Sequence, residues 1–227
     1  MSDKTNDSEK LSEYIDDLIG DARVTFGRHT SDDYINDPKH IAFVASRYKF
    51  VAKMLNGKRT ALEIGCGDGF GAPFVAQVVD KLYCTDIHAG VIEDDKRRMD
   101  FLENTEFSQF DFRKSRFDHD VDAIYLVDVI EHIFPHEEPR VLDNAVGSLN
   151  DNGIMLIGTP NKTAEQYAST LSNEAHVNLK THSSLKELFD KYFENVFIFG
   201  MNDEVLHTGY GPMCHFLWAL CTGPRNR

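Results

Sequence analysis

Short apolar runs alternate with helix-periodic segments from residue 60 onward. Such runs are typical of buried strands, and we predict strands at 60–64, 81–86, 106–110, 121–127, 153–158, 195–200 and 214–221. The segments between them predict helices near 71–79, 89–100, 137–150, 163–171 and 183–192. The alternation predicts an α/β fold: a doubly wound, Rossmann-like, seven-stranded, mostly parallel sheet with helices on both faces. No helical pattern separates the last two runs, so they are predicted to form an antiparallel pair at one edge of the sheet, with the last strand antiparallel.

Helical periodicity also precedes this region. Apolar residues recur at helical spacing over residues 11–19, and a stronger helix is predicted over residues 38–55. Residues 20–37 carry no clear periodicity and are expected to form a loop. We therefore expect an N-terminal helical extension or cap over 1–56 and an α/β domain over 57–227, packed as one structural domain overall.

Composition and charge narrow the class of protein. The 227-residue chain has 24 basic and 37 acidic residues, for a formal net charge of −13. Such an acidic balance argues against a nucleic-acid partner, because phosphate backbones are bound by basic faces. The chain has no long uncharged apolar run and no apolar signal core, so neither a membrane span nor secretion is expected. The four cysteines form no CxxC pair and fit buried thiols of a reducing compartment. We expect a cytoplasmic monomer or homodimer.

A glycine-rich turn follows the first predicted strand. Gly65, Gly67 and Gly69 come directly after it, and alternating glycines there allow a ligand to approach main-chain N–H groups. Asp86 ends the second strand, nineteen positions after Gly67, where a carboxylate can bind ribose hydroxyls. The spacing Gly67-x-Gly69-x-x-Ala72 also satisfies the dinucleotide fingerprint, so these residues alone leave a nicotinamide cofactor open.

Four ordered segments carry a resemblance to one family. They are Glu63-Ile-Gly65-Cys-Gly67-Asp-Gly69, Gln109-Phe-Asp111-Phe, Asp122 to His132 with its Asp128-Val-Ile-Glu131-His132 end, and Asn152 to Asn161 with its Gly158-Thr-Pro-Asn end. In this order and spacing they resemble the motifs of class I S-adenosylmethionine-dependent methyltransferases. The resemblance implies a transferase of the methyltransferase class (EC 2.1.1.-), with S-adenosylmethionine as cofactor and S-adenosylhomocysteine as product.

The resemblance also assigns roles to residues. Glu63, Gly65, Gly67 and Gly69 are placed at the methionine and ribose side of the cofactor, with Cys66 among them as a packing thiol rather than a nucleophile. Asp86 is assigned to the ribose and Ile87 to the adenine. The remaining cofactor-binding residues are Asp111 and Phe112 near the adenine, and Asp128 and Val129 near the methionine end.

The acceptor is expected to be a small molecule with an oxygen nucleophile, such as a sugar, a polyol or a quinone-like ring. Such an alcohol must be deprotonated, and His176, His132 and Glu131 are the candidate catalytic residues. The segment resembles the acid-x-x-Glu-His pattern of ubiquinone-pathway O-methyltransferases, which can hold a divalent cation. No metal is expected here; Asp128, Glu131 and His132 are the alternative ligand set.

Two other functions stay open at this stage. A nicotinamide-dependent oxidoreductase could use the same glycine turn, although no Tyr-x-x-x-Lys pair of the short-chain dehydrogenase type occurs. A non-catalytic relative that only binds S-adenosylmethionine is the other alternative.

Overall fold

The computed structural model describes residues 3–21 and 23–225, which form eight strands in one sheet. The strands are β1 (Thr60–Ile64), β2 (Lys81–Asp86), β3 (Thr105–Gln109), β4 (Val121–Val127), β5 (Leu149–Pro160), β6 (Phe193–Asn202), β7 (Val205–His207) and β8 (Phe216–Pro224). Their order is β3-β2-β1-β4-β5-β8-β6-β7. Every pair of neighbouring strands among β1, β2, β3, β4 and β5 is parallel. The strand β8 runs antiparallel to both of its neighbours, β5 and β6.

The predicted fold class is confirmed, and each predicted strand is present. Two details differ from the expectation. The last strand lies inside the sheet, between β5 and β6, because its residues Leu217 to Ala219 are fully buried and need cover on both sides. The eighth strand, β7, is a three-residue edge strand that the apolar pattern is too short to reveal.

Helices cover both faces of the sheet, as predicted. They are α1 (Asp3–Ile19), α2 (Arg28–Asn36), α3 (Pro38–Leu55), α4 (Ala72–Ala76), α5 (Ala89–Arg98), α6 (Glu138–Val146), α7 (Thr170–Ala175) and α8 (His182–Phe189), with short 3₁₀ turns at Ile130–His132, Lys162–Tyr167 and Gly211–Met213. Leu142 of α6 and Leu185 of α8 are buried in one core, and Val51 of α3 and Ile92 of α5 in the other. None of the helices within the described residues combines the length and apolar character needed to cross a membrane.

The segment 20–37, expected to be a loop, contains the helix α2. Its sequence gives little sign of a helix because only one of its residues, Thr30, is buried. The helix therefore depends on tertiary contacts rather than on a periodic apolar face. The neighbouring α3 buries Tyr48, Val51 and Leu55 in the core of the sheet. The division into 1–56 and 57–227 stays a prediction.

Candidate functional site

The turn after β1 is built from glycines in the left-handed region. Gly65, Gly67 and Gly69 have φ values of 76, 55 and 72°. At Gly65 a side chain is excluded twice: its φ disfavours other residues, and a Cβ there would lie 2.6 Å from Cγ2 of Val129. The Gly65 and Cys66 N–H groups both donate to the carbonyl of Thr85, at 2.7 and 3.0 Å. The turn is thereby held against the carboxyl end of β2.

A cavity of about 710 Å³ opens in front of this turn. It lies at the carboxyl ends of the parallel strands, where α/β sheets bind ligands. Most of the residues predicted for the cofactor line it, together with one predicted catalytic residue: Gly65, Cys66, Gly67, Asp86, Ile87, Asp111, Phe112, Asp128, Val129 and His132. The predicted residues Glu63, Gly69, Glu131 and His176 are also described but are not among its lining residues.

Asp86 is positioned by the glycine turn itself. Its Oδ1 accepts from the His88 N–H at 2.9 Å, and its Oδ2 accepts from the Gly67 N–H at 3.3 Å. A carboxylate can accept about four hydrogen bonds. Asp86 therefore keeps acceptor capacity toward the cavity that it lines.

Asp111 is held in place by Arg113, two residues further along the chain. Its two oxygens accept from Arg113 Nε at 2.9 Å and Nη2 at 3.1 Å, and Oδ1 also accepts from the Arg113 N–H at 3.0 Å. These bonds lower the pKa of Asp111 from 3.8 to about 2. Asp111 therefore lies in the cavity wall as a carboxylate that is already largely satisfied.

Glu63 lies behind the glycine turn, fully buried. Its carboxyl accepts from the Tyr48 hydroxyl at 2.8 Å, the Tyr125 hydroxyl at 3.0 Å and the Cys84 thiol at 3.5 Å. Burial raises the pKa of Glu63 from 4.5 to about 7, although the three donors act in the opposite direction. Glu63 is thus bound within the core and does not line the cavity. Burial also raises the pKa of the Cys66 thiol, which stays neutral and packs.

Asp128 directly follows β4, has a φ of 56° and is paired with Arg47. The Arg47 guanidinium is 2.6 Å from Asp128 Oδ2 and lies 4.0 Å over the ring of Phe216. Arg47 was not singled out from the sequence, because nothing in the α3 pattern distinguishes it from a solvated lysine or arginine.

The 3₁₀ turn after Asp128 brings three predicted catalytic residues together. One ligand-type atom each of Glu131, His132 and His176 lies within 4.8 Å of the others, and Asp128 is not in this group. Glu131 is fully buried; Thr159 donates to its Oε2 at 3.0 Å, while its Oε1 has no hydrogen-bond partner. The pKa of Glu131 is raised to about 8, mainly because the carboxyl is buried and to a smaller extent because of the nearby negative charge of Asp128. The pKa of the His176 imidazole is lowered below its usual 6.5, mainly because the ring is partly buried and to a smaller extent because of the nearby His132.

The helix α2 adds a wall that the sequence did not reveal. His29, Thr30 and Asp33 line the cavity. The Thr30 N–H and hydroxyl donate to the two oxygens of Asp68 at 2.8 and 3.0 Å, and Asp68 belongs to the glycine turn. An acid within a glycine motif, such as Asp68, is a sequence signal that could have been noticed. Its partner Thr30, 38 residues earlier, has no sequence feature that marks it.

Part of the chain matches proteins of known family. Residues 62–155 match the family model described as a methyltransferase domain. A probable S-adenosylmethionine-dependent methyltransferase of Mycolicibacterium smegmatis is 25% identical over 139 residues, which cover 58% of this chain and 50% of the relative. One of Mycobacterium tuberculosis is 26% identical over 104 residues, covering 46% and 36%. The matched part thus spans half or less of these curated relatives.

Solved structures share the fold over most of the chain. The N-methyltransferase NodS from Bradyrhizobium japonicum, in complex with S-adenosyl-L-homocysteine, superposes with a TM-score of 0.67 at 15% identity, covering 88% of this chain and 94% of that one. The DhpI complex with the same ligand also gives 0.67, at 16% identity and with 87% and 92% covered. At this identity the likeness concerns the fold.

Proposed function

We propose that this chain is a class I S-adenosylmethionine-dependent methyltransferase. It binds S-adenosylmethionine in the 710 Å³ cavity and transfers its methyl group to a small-molecule acceptor. The observation that carries the proposal is the pair formed by the glycine turn and Asp86, joined at the Gly67 N–H and facing one cavity. The match of residues 62–155 to a methyltransferase domain favours this donor over the dinucleotide that the glycine spacing had left open.

The cofactor would extend along the strand ends. In this proposal Asp86 accepts the ribose hydroxyls, while Ile87, Asp111 and Phe112 surround the adenine. The methionine end points toward Gly65, Asp128 and Val129. Cys66 and Gly69 are part of the turn and shape its backbone. The Glu63 carboxyl is buried behind the turn and does not contact the cofactor. The ligand in the NodS and DhpI structures is consistent with this use of the fold.

The acceptor would lie at the end of the cavity marked by His132. Methyl transfer from a sulfonium requires an aligned nucleophile and, for a hydroxyl, a proton acceptor. The imidazole of His176, with its lowered pKa, is neutral near pH 7 and close to His132, with ring centroids 5.1 Å apart. We therefore propose an oxygen acceptor, such as a sugar, polyol or quinone-like ring, with Glu131, His132 and His176 as the catalytic group.

Calorimetry with S-adenosylhomocysteine and with NAD, on the same protein, tests the donor. We expect saturable binding of S-adenosylhomocysteine and none of NAD; the reverse pattern would overturn the proposal. The acceptor class is then tested by S-adenosylhomocysteine release with matched hydroxyl, amine and carboxylate panels. Turnover with amines alone would contradict the oxygen assignment, and cofactor binding without turnover on any panel would support the non-catalytic alternative.

A further inference from the structure

The helix α1 presents an apolar stripe to solvent. Every side chain of α1 from Asp7 to Ile19 is exposed. Positions three and four apart meet on one face of a helix, and the apolar residues of α1 follow this spacing: Leu11, Tyr14, Ile15, Leu18 and Ile19. A single helix of this length is marginal in water unless such a face is packed. The stripe therefore indicates that α1 covers another surface.

A second apolar area is left uncovered beside α3. Phe50 of α3 packs against Trp218 and Phe199, with ring centroids 4.9 and 6.1 Å apart. Met54, one helical turn further along α3, is 38% exposed. Phe197, two residues before Phe199 and therefore on the same face of β6, is 52% exposed. The aromatic cluster thus continues into side chains that face solvent.

Met54 and Phe197 lie on the same side of this cluster. Val44 and Tyr48 of α3 line the cavity, and α3 ends at Leu55, shortly before β1 begins, so α3 runs away from the cavity. The strand β6 runs toward the cavity edge, because it is antiparallel to β8, which is antiparallel to β5. A step forward along α3 and a step backward along β6 both lead away from the cavity, so Met54 and Phe197 belong to one surface.

The two areas carry opposite charge. Residues 7–19 of α1 include one lysine and five acidic side chains: Asp7, Glu9, Glu13, Asp16 and Asp17. The helix α3 contains no acidic residue and four lysine or arginine side chains, although the chain as a whole has a net charge of −13. Two of these, Lys49 and Lys53, are exposed. We call the area formed by Lys49, Lys53, Met54 and Phe197 the α3 surface.

We propose that α1 of one copy of this chain docks on the α3 surface of a second copy, which returns the same contact. Both complementary areas belong to one chain, so a two-fold axis satisfies both at once. The five apolar side chains of α1 each offer on the order of 100 Å², so one docked helix and its receiving surface would bury about 1,000 Å². The reciprocal pair buries about 2,000 Å², which is within the range of stable interfaces.

The N-terminal segment is held away from the α3 surface of its own chain. The Thr25 carbonyl accepts from Arg98 Nη1 at 3.4 Å, and α5, which carries Arg98, packs on β2 and β3. Five strand spacings separate β2 from β6, or roughly 24 Å. Residues 19–25 span at most about 22 Å. The end of the stripe at Ile19 therefore falls short of Phe197 in its own chain, which favours a second copy.

Sedimentation equilibrium of the full chain tests the docking. We expect a monomer–dimer equilibrium whose dissociation constant rises with salt, because opposite charges meet in the contact. Ile15→Asp in α1 and Lys53→Glu in α3 are each expected to raise this constant at least ~10-fold, since each change occurs twice in a symmetric dimer. Ile35→Asp and Lys191→Glu are the matched controls, exposed positions outside both areas that should leave the constant unchanged.

Adding Asp16→Lys to Lys53→Glu restores opposite charges and should recover part of the lost affinity. A monomer at every concentration, or a dimer that all of these variants leave alike, would overturn the proposal. Hydrogen exchange of the α1 amides on the same samples is expected to slow as the protein concentration rises. Slow exchange at every concentration would overturn the proposal in favour of docking within one chain, and fast exchange at every concentration would leave α1 for a different protein.

Discussion

Arg47 Nη1 on α3 lies 2.6 Å from Asp128 Oδ2 at the end of β4, across 81 residues of sequence. The contact ties the N-terminal helices to the wall of the cavity. The exposed fractions of the two side chains are only 15% and 32%, so solvent screens the pair less than an ordinary surface ion pair.

Replacing Arg47 with methionine keeps an apolar stem over Phe216 but removes the charge that faces Asp128. We expect the free energy of unfolding to fall by about 1–2 kcal/mol, because a charged hydrogen bond in a partly buried place is lost. Urea denaturation measures it. The control is Arg97→Met, which removes the more exposed pair with Asp94 and should change stability by no more than about 0.5 kcal/mol. Equal losses in both variants would contradict a special role for Arg47.

Asp86→Ala tests the cofactor site. The change removes the acceptor of the Gly67 and His88 N–H groups and the carboxylate assigned to the ribose. We expect the Kd for S-adenosylhomocysteine to rise about 10- to 100-fold, since a charged acceptor for buried hydroxyls is lost. Calorimetry gives the Kd. Asp80→Ala removes an exposed acid that does not line the cavity and should leave the Kd unchanged. An Asp86 variant that binds normally would refute the ribose assignment.

We predict that the two hydrogen bonds between Thr30 and Asp68 control how often α2 opens away from the cavity. Thr30→Val removes the hydroxyl bond to Asp68 Oδ1 and keeps the N–H bond to Oδ2, whereas Asp68→Ala removes both. Opening of α2 should cost less free energy in both variants, and least in Asp68→Ala. We therefore expect hydrogen exchange of the backbone amides of 28–36 to be faster in Thr30→Val and fastest in Asp68→Ala. S-adenosylhomocysteine should also dissociate several-fold faster from Asp68→Ala. Hydrogen exchange and stopped-flow binding measure the two effects.

Ser31→Ala is the control for these variants. It removes a 3.3 Å bond from an exposed hydroxyl to the carbonyl of Phe26 and does not touch Asp68. Its exchange and dissociation rates should match those of the unchanged protein. If Asp68→Ala behaves like Ser31→Ala, then the contact does not control the position of α2.

The buried Glu63 predicts a dependence of stability on pH. Its pKa is raised from 4.5 to about 7 in the folded protein, so folding favours the protonated form. The stabilising contribution is fully present below pH 4.5 and is lost as pH rises through 7. Glu63→Gln stays neutral and removes this loss. We expect the unfolding free energy of the unchanged protein, relative to the variant, to fall by on the order of 3 kcal/mol between pH 4.5 and 8.

Urea denaturation at four pH values measures this difference. Glu131, whose pKa is raised to about 8, gives a loss of the same sign in both proteins, so only the difference between them reports Glu63. Glu103→Gln changes an exposed acid and should leave the pH profile unaltered. Parallel profiles for the unchanged protein and Glu63→Gln would contradict the raised pKa.

The sequence by itself determined the α/β fold and the edge of the sheet at which the cavity proposed for the cofactor lies. Strand alternation is a local property, and the carboxyl ends of neighbouring parallel strands must meet at one edge of the sheet. The glycine turn, Asp86 and Asp111 were therefore predictable as neighbours, and Gly65, Gly67, Asp86 and Asp111 line the cavity. The local pattern is also why every predicted strand overlaps a strand of the structure.

Only the tertiary structure decided which side chains face each other across long stretches of sequence. It paired Asp128 with Arg47, and it brought His176 to Glu131 and His132. It also formed α2 through contacts with the glycine turn. Such contacts depend on the packing angles of helices and loops against the sheet, which no periodicity or spacing encodes, because they are set by the whole core at once.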